Sequence, residues 1–363
     1  MPEKIDPWSS QQLTKYEHVF KEFGLKEFPE EWSKHLDHYL FKRNLVIAHR
    51  DFEKIMKCIQ EKKPFINITG IASSGRLHLG HKFDIDLFKF FKTKKAKNYF
   101  TIADIDAYVS RPNEKVPSLE KAKEFAVNNL AHVLALGLDE KDVYVQSKYT
   151  TRYYEFAFEL SKRITRNEFE AVYGHVDLGK ISAALLQYAD ILHPQLKEFE
   201  GKMPSITGIG LDQDPHARIA RDLAQRVTYP MELPSFVYFK HQQGLREHGK
   251  MSSSDLENTI FLDDSEEDIK KKINKAFTGG RNTLEEQKKL GTNIEIDRVI
   301  ELLRFHYPDE KKLNEIIELQ KTGKQMSGEL KQFAIEFLLD WRTKHLKLVE
   351  KNKKTAEKIV YGK

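Results

Sequence analysis

The sequence predicts an α/β protein: a parallel sheet with helices on its faces, a helical insertion within it, a helical extension before it and a helical domain after it. Three observations carry this. Phe65, Ile66 and Ile68 form an apolar run broken by small residues, and from Leu79 a helical period takes over through Phe83, Leu87, Phe88 and Phe91. Tyr99 to Ala103 is the next apolar run, which completes a β-α-β unit and so a parallel pair. From Asp263 the chain turns to lysine-rich amphipathic helices.

Taken in order, residues 1–60 read as helices with a short extended piece at Asn44 to Ile47, packed through Phe20, Phe23, Leu25 and Phe28 onto the next domain. The α/β domain is placed at 61–262, with its insertion at about 110–200. Lys94 to Lys97 close the helix that starts near Leu79, as basic residues suit a helix C-terminus. Asp104, Asp106 and Tyr108 leave the carboxyl end of the second strand, where such sheets bind ligands, and are expected to face the crevice of His78. Residues 117–137 read as a helix capped by Ser118, and Val143 to Val145 as a third strand. In the Ile181 to Leu192 helix, Gln187 and Asp190 share a face with His193 at its end, amid Ala183, Leu185, Leu186 and Ile191. That stripe suits a ligand as well as it suits water. Ser205 to Leu211 is extended, a helix opens at Ala217, and Phe236 to Phe239 is a strand. The polar loop from His241 to Ser254, with Gly244 and Gly249, has the composition of a lid.

Composition narrows the function classes. Hydrophobic residues make up 40% of the 363 and charged residues 32%, as in soluble globular proteins of two or three domains. No apolar run approaches ~20 residues and the first residues are charged, so neither a membrane span nor a signal peptide is expected, and the cytoplasm is the default. Cys58 is the only cysteine, which excludes a disulfide framework and a multi-cysteine zinc site. The net charge of +5 hints at a polyanionic partner, and between Trp341 and Lys363 eight Lys/Arg stand against two Glu.

Strand, glycine-rich turn and helix over residues 65–82 form the layout that aims free N–H groups and a helix dipole at a phosphate. His78 and His81 sit in the first turn with Gly80 between them, where a side chain would keep a flat ring off the backbone. Two partly exposed histidines are the plain alternative, and a zinc site would need a third ligand. Gly70 to Gly75 approaches a phosphate loop, but Arg76 and Leu77 occupy the Lys and Ser/Thr places. A second stretch, Gly249-Lys250-Met251-Ser252-Ser253-Ser254, lies far downstream.

Together the two stretches resemble the His-x-Gly-His and Lys-Met-Ser-Lys-Ser signatures of class I aminoacyl-tRNA synthetases. Most of the chain is similar to the archaeal and eukaryotic type of tryptophanyl-tRNA synthetase, through Pro7-Trp8, Ala48-His49-Arg50-Asp51, Asp212-Gln213-Asp214-Pro215, and Thr278-Gly279-Gly280-Arg281 with Glu285-Glu286-Gln287. Tyrosyl-tRNA synthetases share both ATP motifs and a segment like Ala103 to Tyr108, but lack the Asp-Gln-Asp-Pro and Thr-Gly-Gly-Arg stretches. A tyrosyl-type enzyme, another nucleotidyltransferase with the His-x-Gly-His motif, and an RNA-binding protein that has lost activation remain the alternatives.

The resemblance implies a Rossmann-like domain that activates L-tryptophan with ATP and Mg2+, and then charges tRNA(Trp). It further implies a homodimer paired through the insertion and a tRNA anticodon-binding domain at 263–363. Carried over by motif, Lys250, His78 and His81 are the catalytic residues. The ATP site comprises these with Gly70, Ser74, Gly80, Gly210, Asp212, Gln213, Met251, Ser252 and Ser253. Tryptophan falls to Ile68, Thr101, Asp106, Gln187, Asp190 and Gln213. The chain departs from the pattern in four places. Ser73 replaces a proline, and Ser253 replaces the second basic residue of the loop. Ser327-Gly328-Glu329-Leu330 stands for a Cys-Gly-Glu-Cys segment, so no zinc is expected. Ile68 and Thr101 stand where eukaryotic enzymes read the indole N–H with Tyr and Gln. Asp190 is then the expected acceptor, steadied by His193 or Tyr188, with the Thr101 hydroxyl as the alternative.

Overall fold

The computed structural model describes residue 20 and residues 23–174, 177–281 and 283–362. Pro7-Trp8 and the reading of residues 1–19 as helix lie outside them. One seven-stranded sheet organises the chain: β1 (Lys26–Glu27), β2 (Val46–Arg50), β3 (Phe65–Ala72), β4 (Ala96–Ala103), β5 (Val143–Val145), β6 (Ser205–Gly210) and β7 (Ser235–Phe239), in the order β1-β2-β7-β6-β3-β4-β5. From β7 to β5 all neighbours are parallel. β3 runs in unbroken register with β4, from Phe65 opposite Ala96 to Ala72 opposite Ala103. Its Phe65, Ile66 and Ile68 are buried, as expected of a central strand covered on both faces.

Two expectations change. The extended piece at Asn44 to Ile47 is the start of β2, which pairs antiparallel with β7 (His49 opposite Val237) and carries β1 on its other edge. The N-terminal region therefore adds strands to the sheet besides laying the helices Glu30–Leu36, Tyr39–Lys42 and Phe52–Gln60 against it, and it buries Val46 and Ala48 in doing so. At the other site, the Leu79–Lys92 helix ends before Lys94, with Lys89 and Lys92 in its last turn. Lys95 makes the turn at φ +64°, and Lys97 already belongs to β4.

β3 stands between β6 and β4, so the chain leaves its two neighbours on opposite sides and opens a crevice at the strands' carboxyl ends. The α/β part carries the helices Leu79–Lys92, Asp104–Ser110, Leu119–Ala135, Thr151–Ser161, Leu178–Leu192 and Asp214–Arg226. Ser118 caps its helix as expected, accepting the Lys121 N–H at 3.1 Å. Five helices follow: Glu266–Lys275, Leu284–Leu290, Arg298–His306, Glu310–Lys321 and the 35-residue Ser327–Tyr361. One apolar cluster runs without a break from Ile71 and Phe88 through Leu130 to Val299, Leu330 and Val360, so this C-terminal region shares its core with the sheet. The Ser327–Tyr361 helix is joined to Leu119–Ala135 by a buried contact of 2.8 Å between His132 Nδ1 and His345 Nε2. Trp341 stacks on the His345 ring. Among the described residues no helix is long and apolar enough to cross a membrane, and no group of three or more His, Cys, Asp or Glu is placed to hold a metal.

Candidate active site

A cavity of about 570 Å³ opens at the carboxyl ends of β3, β4 and β6, and every residue carried over to the ATP and tryptophan sites lines it. Asp104 and Tyr108 do not. Asp104 turns into the protein, where Oδ1 accepts the N–H groups of Ile105 and Ser147, and Tyr108 is 40% exposed. Of that segment only Asp106 reaches the cavity.

The two motif stretches are built into each other. The Leu79 N–H donates to the Ile260 carbonyl at 3.0 Å, and the Leu262 N–H to the Leu77 carbonyl at 2.9 Å. Arg76 bridges Asp263 and Asp264. His78 Nδ1 accepts the Gly80 N–H and His81 Nδ1 accepts the His78 N–H, both at 3.1 Å. The histidines thus cap their own helix. The first-turn N–H groups that the strand–turn–helix layout offered to a phosphate are taken up in this way. Each ring accepts through Nδ1, so in the neutral form its proton sits on Nε2. Burial keeps both neutral, lowering His81 to about 4 and His78 well below its ordinary value. They present N–H donors, not charges. The reason for Gly80 also changes: a Cβ there would come within 2.9 Å of the His78 ring, so the ring lying on this backbone is the protein's own.

Beside the 241–254 loop Lys250 Nζ lies 2.8 Å from Asp212 Oδ2, and His241 Nε2 lies 2.9 Å from Oδ1 of the same carboxylate. Burial opposes ionisation of Asp212, but these two partners outweigh it and hold the carboxyl well below the usual range. A side chain at Gly210 would stand 2.3 Å from the His241 ring, which accounts for glycine there. The loop that carries Lys250 folds over the cavity through Gly244 N–H to the Gly249 carbonyl and Met251 N–H to the Gln242 carbonyl. Thr259 Oγ1 accepts the Ser252 N–H and donates to the Ser252 carbonyl.

Four groups here went unseen in the sequence. His241 is one. Arg111 and Lys115, in the loop after the Asp104–Ser110 helix, also line the cavity, and burial together with Arg111 lowers the Lys115 ammonium. Asp84, one turn past His81, reaches it too. Burial and the Asp212 charge push its carboxyl well up, and its Oδ1 has no hydrogen-bond partner among the described residues. A basic pair four residues apart, just past the short helix that follows a parallel strand, was the available signal for Arg111 and Lys115.

At the inner end the wall is apolar, with Ile68, Ile191, Ala217 and Phe236 around Thr101 and Asp190. The donors to Asp190 are not those expected. Oδ1 accepts Tyr144 OH at 2.8 Å and Tyr153 OH at 2.7 Å, and Oδ2 accepts Gln146 Nε2 at 2.8 Å. Tyr188 instead pairs with Tyr173, and His193 with Tyr149 and the Ala189 carbonyl. Burial raises Asp190 to about 7 in spite of its three donors. Asp106 is raised by burial as well, against the pull of Arg111 and a hydrogen bond from Ser110. Gln187 comes from the Leu178–Leu192 helix and Gln213 from the turn after β6.

The family model of class I tRNA synthetases (W and Y) matches residues 60–340. A tryptophan–tRNA ligase of Methanocaldococcus jannaschii is 39% identical, with 99% of each chain covered. The crystal structure of a tryptophanyl-tRNA synthetase from Aeropyrum pernix is 36% identical and superposes with a TM-score of 0.87 over 98% of each chain. One from Encephalitozoon cuniculi, bound to tryptophan, is 25% identical and covers 95% of this chain and 97% of its own, with a TM-score of 0.82. The chain belongs to the class I tRNA synthetases of the tryptophan and tyrosine group.

Proposed function

We propose that this protein is a tryptophan–tRNA ligase that works in the cytoplasm. The observation that carries the reading is that His78, His81 and Lys250 share one cavity with an inner apolar chamber holding Thr101 and Asp190. In the first step a carboxylate oxygen of tryptophan attacks the α-phosphorus of ATP, which enters with Mg2+ on its phosphates. The bond from that phosphorus to the bridging oxygen breaks, and pyrophosphate leaves. A ribose hydroxyl of the tRNA then attacks the tryptophanyl carbonyl and releases AMP.

No group in the chain has to form a covalent bond, so catalysis is orientation plus charge stabilisation. Nε2–H of His78 and His81 donates to ATP without adding charge. Lys250 exchanges Asp212 for the phosphates as negative charge gathers on them, and Gly70, Ser74, Gly210, Gln213, Met251, Ser252 and Ser253 shape the rest of the ATP site. Lys115, with Arg111 behind it, supplies the second cation that Ser253 cannot. Asp106 faces the tryptophan ammonium, Gln187 and Gln213 hold its polar end, and the indole enters the chamber of Ile68. The exposed Lys351, Lys353 and Lys354 of the last helix suit a tRNA backbone.

A homodimer fits two exposed side chains of the insertion, Phe158 at 77% and Leu178 at 81%. Phe156, Leu160 and Tyr173 of the same insertion are buried within the chain itself. Sedimentation showing only a 42.5 kDa species would remove the dimer.

The reading is tested by pyrophosphate exchange into ATP with each amino acid in turn. Tryptophan should support it alone. Exchange with tyrosine instead would favour the tyrosyl reading, for which Asp190 could accept a phenol O–H. Exchange with no amino acid would refute the assignment.

A further inference from the structure

The inner chamber contains a chain of hydroxyls whose direction is fixed from one end. Gln146 anchors it: Oε1 accepts the Asp106 backbone N–H at 3.0 Å, so Nε2 is the atom that donates to Asp190 Oδ2. The Asp190 carboxylate accepts throughout. Tyr144 has one hydrogen and gives it to Oδ1 at 2.8 Å, so its oxygen can only accept. Thr101 Oγ1, 2.5 Å from that oxygen, gives Tyr144 its own hydrogen. Thr101 lines the cavity, whereas Tyr144, Tyr153 and Gln146 stand behind the wall.

From this polarity we infer that Thr101 Oγ1 is the group that reads the indole N–H, and that Tyr144 and Asp190 are positioning residues that select tryptophan over tyrosine. The inference rests on the functional reading above. Every hydrogen in this run of hydroxyls points away from the cavity, so at Thr101 the wall offers an acceptor and no donor. An indole has one N–H and nothing that needs a donor, and it is fully satisfied. A phenol could give its hydrogen to Thr101, but its oxygen would then find no donor in this run of hydroxyls. Asp190 is a poorer direct reader, because Oδ1 already takes two hydrogen bonds and Oδ2 one.

The test uses the full-length protein in pyrophosphate exchange at pH 8, above the value of about 7 to which burial raises Asp190. Tryptophan is compared with its benzothienyl analogue, in which sulfur replaces the N–H, and with tyrosine. The unaltered protein should favour tryptophan over the analogue in KM by about tenfold or more, the scale of one buried hydrogen bond. Thr101→Val, of nearly the same shape, should bring that ratio close to one by raising the tryptophan KM alone, and Thr101→Ser should keep it. Tyr144→Phe frees the Thr101 hydrogen to point inward. It should lower the tryptophan-to-tyrosine ratio of kcat/KM about tenfold while tryptophan still outranks the analogue. Thr101→Val with the unaltered ratio overturns the inference, as does Tyr144→Phe with unchanged tyrosine discrimination. Absence of tryptophan exchange in the unaltered protein overturns the functional reading as well, which keeps the two failures distinct.

Discussion

The two ends of the cavity handle buried polarity in opposite ways. At the outer end charges offset one another: Asp212 holds Lys250 and His241, and its carboxyl is driven well below its usual range. At the inner end Asp190 has only neutral donors, and burial raises it to about 7. An ion pair can be exchanged for another when a triphosphate arrives, so the outer end suits charge that develops during reaction. A carboxylate held by neutral donors of fixed direction has one low-energy arrangement, and it suits recognition of a shape before reaction.

The largest expected effect is at the outer end. Lys250→Ala should slow adenylate formation about 100-fold or more in rapid-quench measurement, the scale of one preorganised stabiliser, with tryptophan binding nearly unchanged. A loss of binding in step with the rate would erase the difference between the ends. Lys115→Ala sharpens it: we expect a fall of about tenfold in the same rate, smaller because the loop and Arg111 share the role. No change would leave Lys250 as the sole cation on the phosphates.

A weaker contrast is in pH dependence. Because Asp190 sits near 7 and Asp212 well below its usual range, kcat/KM for tryptophan should fall several-fold between pH 8 and pH 6 as Asp190 takes up its proton and the hydroxyl chain loses its direction. Thr101→Val should flatten that fall. A fall of the same size for the benzothienyl analogue would place the titration elsewhere. The smallest effect is expected away from both ends, from replacing Lys351, Lys353 and Lys354 by Glu. The apparent KM for tRNA should rise several-fold and more steeply with salt, with pyrophosphate exchange intact. Damage to exchange as well would point to loss of the shared core.

The site was legible wherever one element holds its own partners. β3, its turn and the His78–His81 helix follow from periodicity, and the two motif stretches do meet, joined by Leu79 and Ile260. What failed was local inference about partners. The helix N-terminus was expected to offer N–H groups, and the histidines that mark the motif take them. Tyr188 seemed a neighbour of Asp190, but residues two apart on a helix face away from each other, and it packs against Tyr173. The true donors, Tyr144 and Tyr153, lie 46 and 37 residues away and arrive through β5 and the insertion. β1 and the full length of β2 exceed the short extended piece the sequence shows, because strands of two and five residues carry little pattern, and the pairing of β1 with β2 and of β2 with β7 is decided by the folded sheet.

The contrast between the ends is tested most directly by measuring the tryptophan dissociation constant and the single-turnover rate of adenylate formation in Lys250→Ala and Thr101→Val side by side. Lys250→Ala should change the rate and leave the dissociation constant in place, and Thr101→Val should weaken binding about tenfold with the rate at saturating tryptophan nearly unaltered. If both substitutions move the same constant, the cavity does not divide into a reacting end and a reading end.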